Sequence, residues 1–264
     1  MPFTTVSGTR LHYLDAGSGD PPLLLLHAFP VSAGMWEEQI VALAPRWRVV
    51  APDLPGFGQS PASPAADPTI DAWGDLVAEL VTSLGLGSVV VGGLSMGGYV
   101  AFSLLRRHPS LVAGLVLADT RAAADTPEVA QRRTDQQQKI AEGKLNEVIE
   151  GMLGTLLSEQ TRTERPEVVD RVRALASLTP GDTVVAGLEA MKHRADATGE
   201  LSLIDVPVLV LVGEHDGPSP PSVAREMAEA ANARLEVLPG AGHLSNLEAP
   251  VEFNRALESF LSGL

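Results

Sequence analysis

The residues best able to do chemistry in this sequence are a serine set between glycines and a histidine near the end of the chain. Residues 88–99 read SVVVGGLSMGGY, and within them Gly93-Leu94-Ser95-Met96-Gly97 has the pattern G-x-S-x-G. Val89, Val90 and Val91 are a β-branched run of the kind that fills a strand buried on both faces. Residues 99–107 read as a helix. A serine at a sharp bend between strand and helix is held with its hydroxyl exposed, a nucleophile elbow. Side chains two residues to either side would collide with the neighbouring helix or strand. Gly93 and Gly97 occupy those places, and Gly98 adds room. The pentapeptide alone arises by accident in roughly one chain in ten of this length, so the strand before it and the helix after it carry the weight. A phosphate-binding turn is the competing reading. The dinucleotide form needs G-x-G-x-x-G, which Gly92, Gly93, Gly97 and Gly98 do not match, and no Gly-Lys-Ser/Thr is present.

A serine hydroxyl is a weak nucleophile until a base takes its proton. That base is a histidine whose tautomer is held by a carboxylate, and for a serine on this kind of turn the chain order is serine, acid, histidine. Of six histidines, His12 and His108 fall on the wrong elements, His193 lies in a helical stretch and His215 on a loop surface. His243 follows the last strand in LPGAGH at 238–243, where a glycine-lined loop lets the ring reach toward Ser95. Asp216, in VGEHD at 212–216, is the acid candidate, with a turn-forming role before Gly217-Pro218 as its bland alternative. Asp119, at the end of the preceding parallel strand, is a rival acid or a cap. The tetrahedral intermediate of an acyl transfer also needs hydrogen-bond donors. Met96 N–H, directly after the serine, is one candidate; Phe29 N–H, on the loop after the leucine strand, is the other. His27 then braces that loop or faces the pocket.

The elements that must position these residues follow in order. Residues 3–6 and 10–15 form a hairpin around Ser7-Gly8, and Leu23 to Leu26 form a buried strand. Then come a helix over 35–43, a strand over 48–51, a breaker-rich loop over 53–60 and an amphipathic helix over 70–84. After the elbow a strand over 115–117 ends at Asp119. From 121 to 200 the character changes: helical patterns over 128–141, 145–157, 167–177 and 183–194 break at Gly143, Pro166 and Pro180-Gly181. Strands over 208–212 and 235–238 and helices over 222–231 and 251–261 close the chain. The expected architecture is α/β: a mostly parallel central sheet with helices on both faces, residues 1–120 and 201–264 forming the core and 121–200 an inserted helical cap. Ligands of such sheets sit beyond the carboxyl ends of the strands, where each candidate residue falls.

The totals set bounds. With 264 residues, 45% of them hydrophobic, one large domain is expected. Nineteen basic against thirty-three acidic residues leave a formal charge of −14, which repels nucleic acid and anionic membranes. The absence of cysteine excludes disulfides and thiolate chemistry. The first twenty residues have no basic start and apolar core of a secretory signal, and no apolar run is long enough for a membrane span. A cytoplasmic protein is the expectation.

Together the motifs HAFP at 27–30, DLPGFGQS at 53–60, GLSMGG at 93–98, GEHD at 213–216 and GAGHLSNLEAP at 240–250 resemble the α/β-hydrolase superfamily, in its small cofactor-free branch with a helical cap. The resemblance covers nearly the whole chain. It implies a Ser95, Asp216 and His243 triad, oxyanion donors at Phe29 and Met96, and no metal or organic cofactor. Ala28 departs from the glycine usual in that family, and its methyl narrows the loop or shifts the Phe29 amide. Relatives that are dehalogenases or epoxide hydrolases use an aspartate nucleophile, where this chain has Ser95. The apolar stripe Ile149, Met152, Leu153 and Leu156 reads first as packing against the core; any exposed part would roof an acyl pocket of modest size. Trp36, Phe57 and Tyr99 are pocket walls or core. The expected activity is hydrolysis of carboxylic esters of short-to-medium acyl chains. A lactonase, a carbon–carbon bond hydrolase, a perhydrolase and a ligand-sensing protein share the same framework. The expected partner is a small ester or lactone, with no nucleic acid and no membrane; oligomeric state is not legible.

Overall fold

The computed structural model describes residues 2–63 and 68–264. Strands β1 (Phe3–Val6) and β2 (Thr9–Ala16) form the hairpin, turning at Ser7 and Gly8, whose φ angles of 44° and 75° are those of a tight two-residue turn. The remaining strands are β3 (Leu23–Leu26), β4 (Val49–Pro52), β5 (Val89–Leu94), β6 (Val112–Ala118), β7 (Val208–Gly213) and β8 (Arg234–Leu238). They form one sheet in the order β1-β2-β4-β3-β5-β6-β7-β8. The β1–β2 and β2–β4 pairs are antiparallel and the rest parallel. Every residue of β3, β4, β5 and β7 is buried, so both faces of the central sheet are covered. The chain turns from β3 back to β4 and then crosses to β5 on the other side. The crevice of such a sheet lies at that reversal, beyond the carboxyl ends of β3 and β5.

Helix α1 (Glu37–Leu43) follows a short 3-10 turn at Ala33–Trp36 and later packs against the last helix. Helix α2 (Ile70–Ser83) starts at Thr69, whose hydroxyl accepts from Ala72 N–H at 3.0 Å. It buries Ile70, Trp73, Val77, Leu80 and Val81 and packs on α3 (Met96–Arg107), which lies against β3, β5 and β6. Strand β5 runs three residues beyond the valine run. Gly92 and Gly93 stay in it because their neighbours leave no space for a side chain: a Cβ at Gly92 would stand 2.9 Å from Leu25.

Between β6 and β7 the chain is helical: α4 (Pro127–Ala141), α5 (Leu145–Leu156), α6 (Glu159–Glu164), α7 (Pro166–Ser177) and α8 (Gly181–Lys192). Two features differ from the sequence expectation. The short α6 is present, started by Ser158, whose hydroxyl accepts from Thr161 N–H. Pro166 opens α7 at its first turn, where a missing N–H costs nothing. Helices α9 (Pro221–Ala230), α10 (Ser245–Glu248) and α11 (Pro250–Leu261) complete the chain, with the one-turn α10 an addition to the expected set. Among the described residues no helix is long and apolar enough to cross a membrane.

Candidate active site

Ser95 sits at the tip of the β5–α3 turn with φ 54° and ψ −112°. For an L-residue this is a sparsely populated conformation costing about 1–3 kcal/mol. Four hydrogen bonds hold it there: Ser95 N–H donates to Ala118 O at 3.0 Å, and the Ser95 carbonyl accepts from Gly98 N–H at 2.9 Å, Tyr99 N–H at 3.4 Å and the Thr120 hydroxyl at 2.8 Å. The flanking glycines are sterically required. A Cβ at Gly93 would lie 2.2 Å from Gly97 O, and one at Gly97 would lie 2.1 Å from Leu26 O. The elbow and the loop after β3 therefore touch backbone to backbone.

His243 ends the loop after β8. The carboxylate of Glu248 accepts from Gly242 N–H at 3.0 Å and from Ser158 N–H at 2.9 Å, and Leu244 N–H donates to Leu156 O at 3.1 Å. The loop is thus tied to the α5–α6 connection. The His243 ring is buried, with Nδ1 2.8 Å from Asp216 Oδ1 and Nε2 2.8 Å from Ser95 Oγ. An Nδ1–H that donates to the carboxylate leaves Nε2 free to accept the serine proton. Asp216 is buried at the turn after β7; its Oδ1 also accepts from Ser219 N–H at 2.8 Å. The fold brings Ser95, His243 and Asp216 into one chain of hydrogen bonds.

Asp119, the other carboxylate considered, does not reach the ring. With φ 46°, it accepts from Gly213 N–H at 2.8 Å and from the Ser245 hydroxyl, tying the end of β6 to β7 and α10. Burial, followed by the charge of nearby Asp216, pushes its carboxyl well above the usual range, while the Ser245 and Gly213 bonds pull the other way.

The loop after β3 is organised by His27. Its buried ring donates from Nδ1 to Ala28 O at 2.9 Å and accepts Leu54 N–H at Nε2, 3.1 Å. Burial lowers its pKa, against the pull of Asp53 and the Ala28 bond. Ala28 N–H meets the Met35 sulfur at 3.2 Å, and the Ala28 methyl is wholly buried. Among the described residues no acceptor takes Phe29 N–H or Met96 N–H.

Ser95 and His243 open onto a cavity of about 840 Å³, also lined by Phe29, Tyr99, Met152 and Leu156. Four of the other pocket candidates lie elsewhere. His27 is buried beneath the loop it braces. Trp36 is in the core against Phe253, ring centres 5.9 Å apart. Phe57 packs edge-on against Trp73 and Phe29. Leu153 is buried one residue past Met152, about 100° around α5, and so leaves the face that Met152 and Leu156 share. The cavity has polar walls that the sequence reading did not single out: Arg121, Arg132, Arg133 and Arg162, with Asp125 and Gln136. The signal was faint. Val129, Arg132, Arg133 and Gln136 have the spacing of one helical face, but a helix with no apolar stripe does not say which face turns inward.

A family model described as alpha/beta hydrolase fold matches residues 21–250. The solved structure of a thermophilic esterase from Thermogutta terrifontis, malate bound, is 37% identical with a TM-score of 0.93, covering 99% of this chain and 96% of that one. The enol-lactonase from Burkholderia xenovorans LB400 is 30% identical with a TM-score of 0.90, covering 99% and 100%. A pimeloyl-acyl-carrier-protein methyl ester esterase of Sodalis glossinidius is 31% identical over 261 residues, 95% of this chain and 97% of that one. Likeness on this scale runs from before β3 to the start of α11 and takes in sheet, elbow and helical insertion alike, so this chain is a member of the α/β-hydrolase family.

Proposed function

We propose that the protein hydrolyses carboxylic esters of short-to-medium acyl chains, lactones included, through an acyl-enzyme on Ser95. The observation that carries this reading is one imidazole bridging a serine hydroxyl and a buried carboxylate at 2.8 Å on each side, beside a cavity able to hold a small substrate. That the relatives named above are two esterases and an enol-lactonase supports it. In this reading residues 121–200 act as a cap over a core of residues 1–120 and 201–264.

The chemistry follows from the geometry. As Ser95 Oγ bonds to the substrate carbonyl carbon, its proton passes to His243 Nε2, and Asp216 stabilises the imidazolium that forms. The carbonyl oxygen becomes an oxyanion, for which Met96 N–H and Phe29 N–H, without an acceptor among the described residues, are the donors; loss of one such donor typically costs about 10²–10³-fold in rate. Collapse breaks the bond to the alcohol oxygen, which takes the proton from His243. A water then attacks the acyl carbon while His243 takes one of its protons, and that proton returns to Ser95 as the acid leaves. None of these steps calls for a metal or an organic cofactor. The test is hydrolysis of 4-nitrophenyl butyrate by wild type and Ser95→Ala. A loss of kcat of about 10⁴-fold or more is expected; equal rates would remove Ser95 as nucleophile and the proposal with it.

A further inference from the structure

The chain is strongly acidic, yet the wall of the cavity beside Ser95 is basic. Arg121 comes from the segment after β6, Arg132 and Arg133 from α4, and Arg162 from α6. Three elements thus bring arginines to one cavity, and among the described residues no lysine lines it. Two carboxylates face them. Asp125 is already compensated, accepting from Arg133 at 2.5 Å and from the buried Arg194. Glu159 is exposed at the rim.

Arginines away from the cavity mostly have carboxylate partners: Arg48 with Asp15, Arg106 with Asp71, Arg107 with Asp75, Arg171 with Glu38 and Arg173 with Glu150. Arg121, Arg132 and Arg162 differ. Among the described residues their guanidinium groups have neither an ion pair nor a hydrogen bond. Arg121 is half-buried and the other two are exposed at the mouth. The guanidinium fork matches a carboxylate, and Arg keeps its charge when partly desolvated. The overall charge of −14 does not cancel this local field, because charges beyond about 8 Å are screened at physiological salt.

From this we infer that the substrate is itself an anion: an ester or lactone that carries a free carboxylate, held by Arg121, Arg132 and Arg162 while the scissile carbonyl reaches Ser95. The inference rests on the ester-hydrolase reading and names its substrate class. The anion can stand on the acid or the alcohol part of the ester, and the assay separates the two. One pair of substrates is 4-nitrophenyl hydrogen glutarate against 4-nitrophenyl valerate. The other is carboxymethyl butyrate against propyl butyrate. Within each pair the members are of similar size and differ in charge.

For wild type, kcat/KM should favour the anionic member of at least one pair by about tenfold or more, the scale of one charge-assisted hydrogen bond. That preference should fall about tenfold or more in a variant carrying Arg121→Gln, Arg132→Gln and Arg162→Gln. In wild type it should also fall as NaCl rises from about 20 mM to about 500 mM, a readout that needs no substitution. A preference for the neutral members, or a preference that neither salt nor the three substitutions reduces, overturns the inference. It leaves the ester-hydrolase reading standing as long as turnover still depends on Ser95. If no substrate is turned over, calorimetry of glutarate with Ser95→Ala decides. Binding that the three substitutions abolish upholds the anion site while the hydrolase reading falls; no binding overturns the inference as well.

Discussion

Replacing Gly97 by alanine tests whether the elbow and the loop after β3 work as one machine. A Cβ built at Gly97 stands 2.1 Å from Leu26 O, 2.6 Å from Leu26 C and 3.0 Å from His27 O. All three atoms are on the strand end and loop that lead to Phe29 N–H. A tolerable carbon–oxygen contact begins near about 3.3 Å, so the two backbones must part by about 1.2 Å. Neither side yields easily. Leu26 pairs with Gly93 in the sheet, and the loop beyond it is held by His27, whose ring bonds Ala28 O and Leu54 N–H. Overpacking of this kind costs about 1–3 kcal/mol, read as a fall in Tm of roughly 2–10 °C for a domain of this size. The same parting moves Phe29 N–H, the proposed oxyanion donor, away from Ser95, and a misplacement of about 1 Å can cost about 10²-fold. Gly97→Ala should therefore remain folded and lose about 10²-fold in kcat on 4-nitrophenyl butyrate. Gly151→Ala is the control: it lies on α5 with nothing within 4 Å of an added Cβ. It should gain about 0.5–1 kcal/mol from helix propensity with kcat unchanged. A Gly97→Ala protein with lowered Tm but wild-type kcat would refute the coupling.

Two further perturbations follow from the same geometry. Asp216→Asn should lower kcat by about 10³–10⁴-fold, since the amide no longer enforces the imidazole tautomer, whereas Asp119→Asn should cost less than about tenfold; the reverse ranking in side-by-side kinetics would reassign the acid. Because the folded state raises the Asp119 carboxyl, what it adds to stability is full below the unfolded carboxylate value of about 4 and is lost as pH rises through the raised one. Urea midpoints should therefore turn progressively in favour of Asp119→Asn as pH rises above about 4, and a constant difference would contradict this. Arg194→Met should destabilise by about 3–5 kcal/mol in urea unfolding, because the guanidinium is buried over the Tyr99 ring at 4.1 Å, bonds Asp125, Met191 O and Ala123 O, and would leave Asp125 half-compensated. A loss below about 1 kcal/mol would show the cluster to be incidental.

What could be read from the chain alone was whatever depends on neighbours in sequence. The valine run, the glycines around Ser95 and the strand-then-loop settings of Phe29, Asp216 and His243 are local patterns, and a parallel sheet carries strand ends to one edge whatever the details. Choices between residues at that edge were not local. Asp119 and Asp216 both follow parallel strands; Asp216 reaches His243 because Asp119 is turned to the Gly213 amide and the Ser245 hydroxyl, contacts made across 94 and 126 residues. The cavity walls show the same division. Apolar spacing placed Met152 and Leu156 on one face of α5, but the arginines of α4 and α6 carry no apolar stripe that would tell which way they look. Hydrophobic periodicity reports what a helix buries. Which polar groups meet across a cavity is decided only when helices distant in sequence dock.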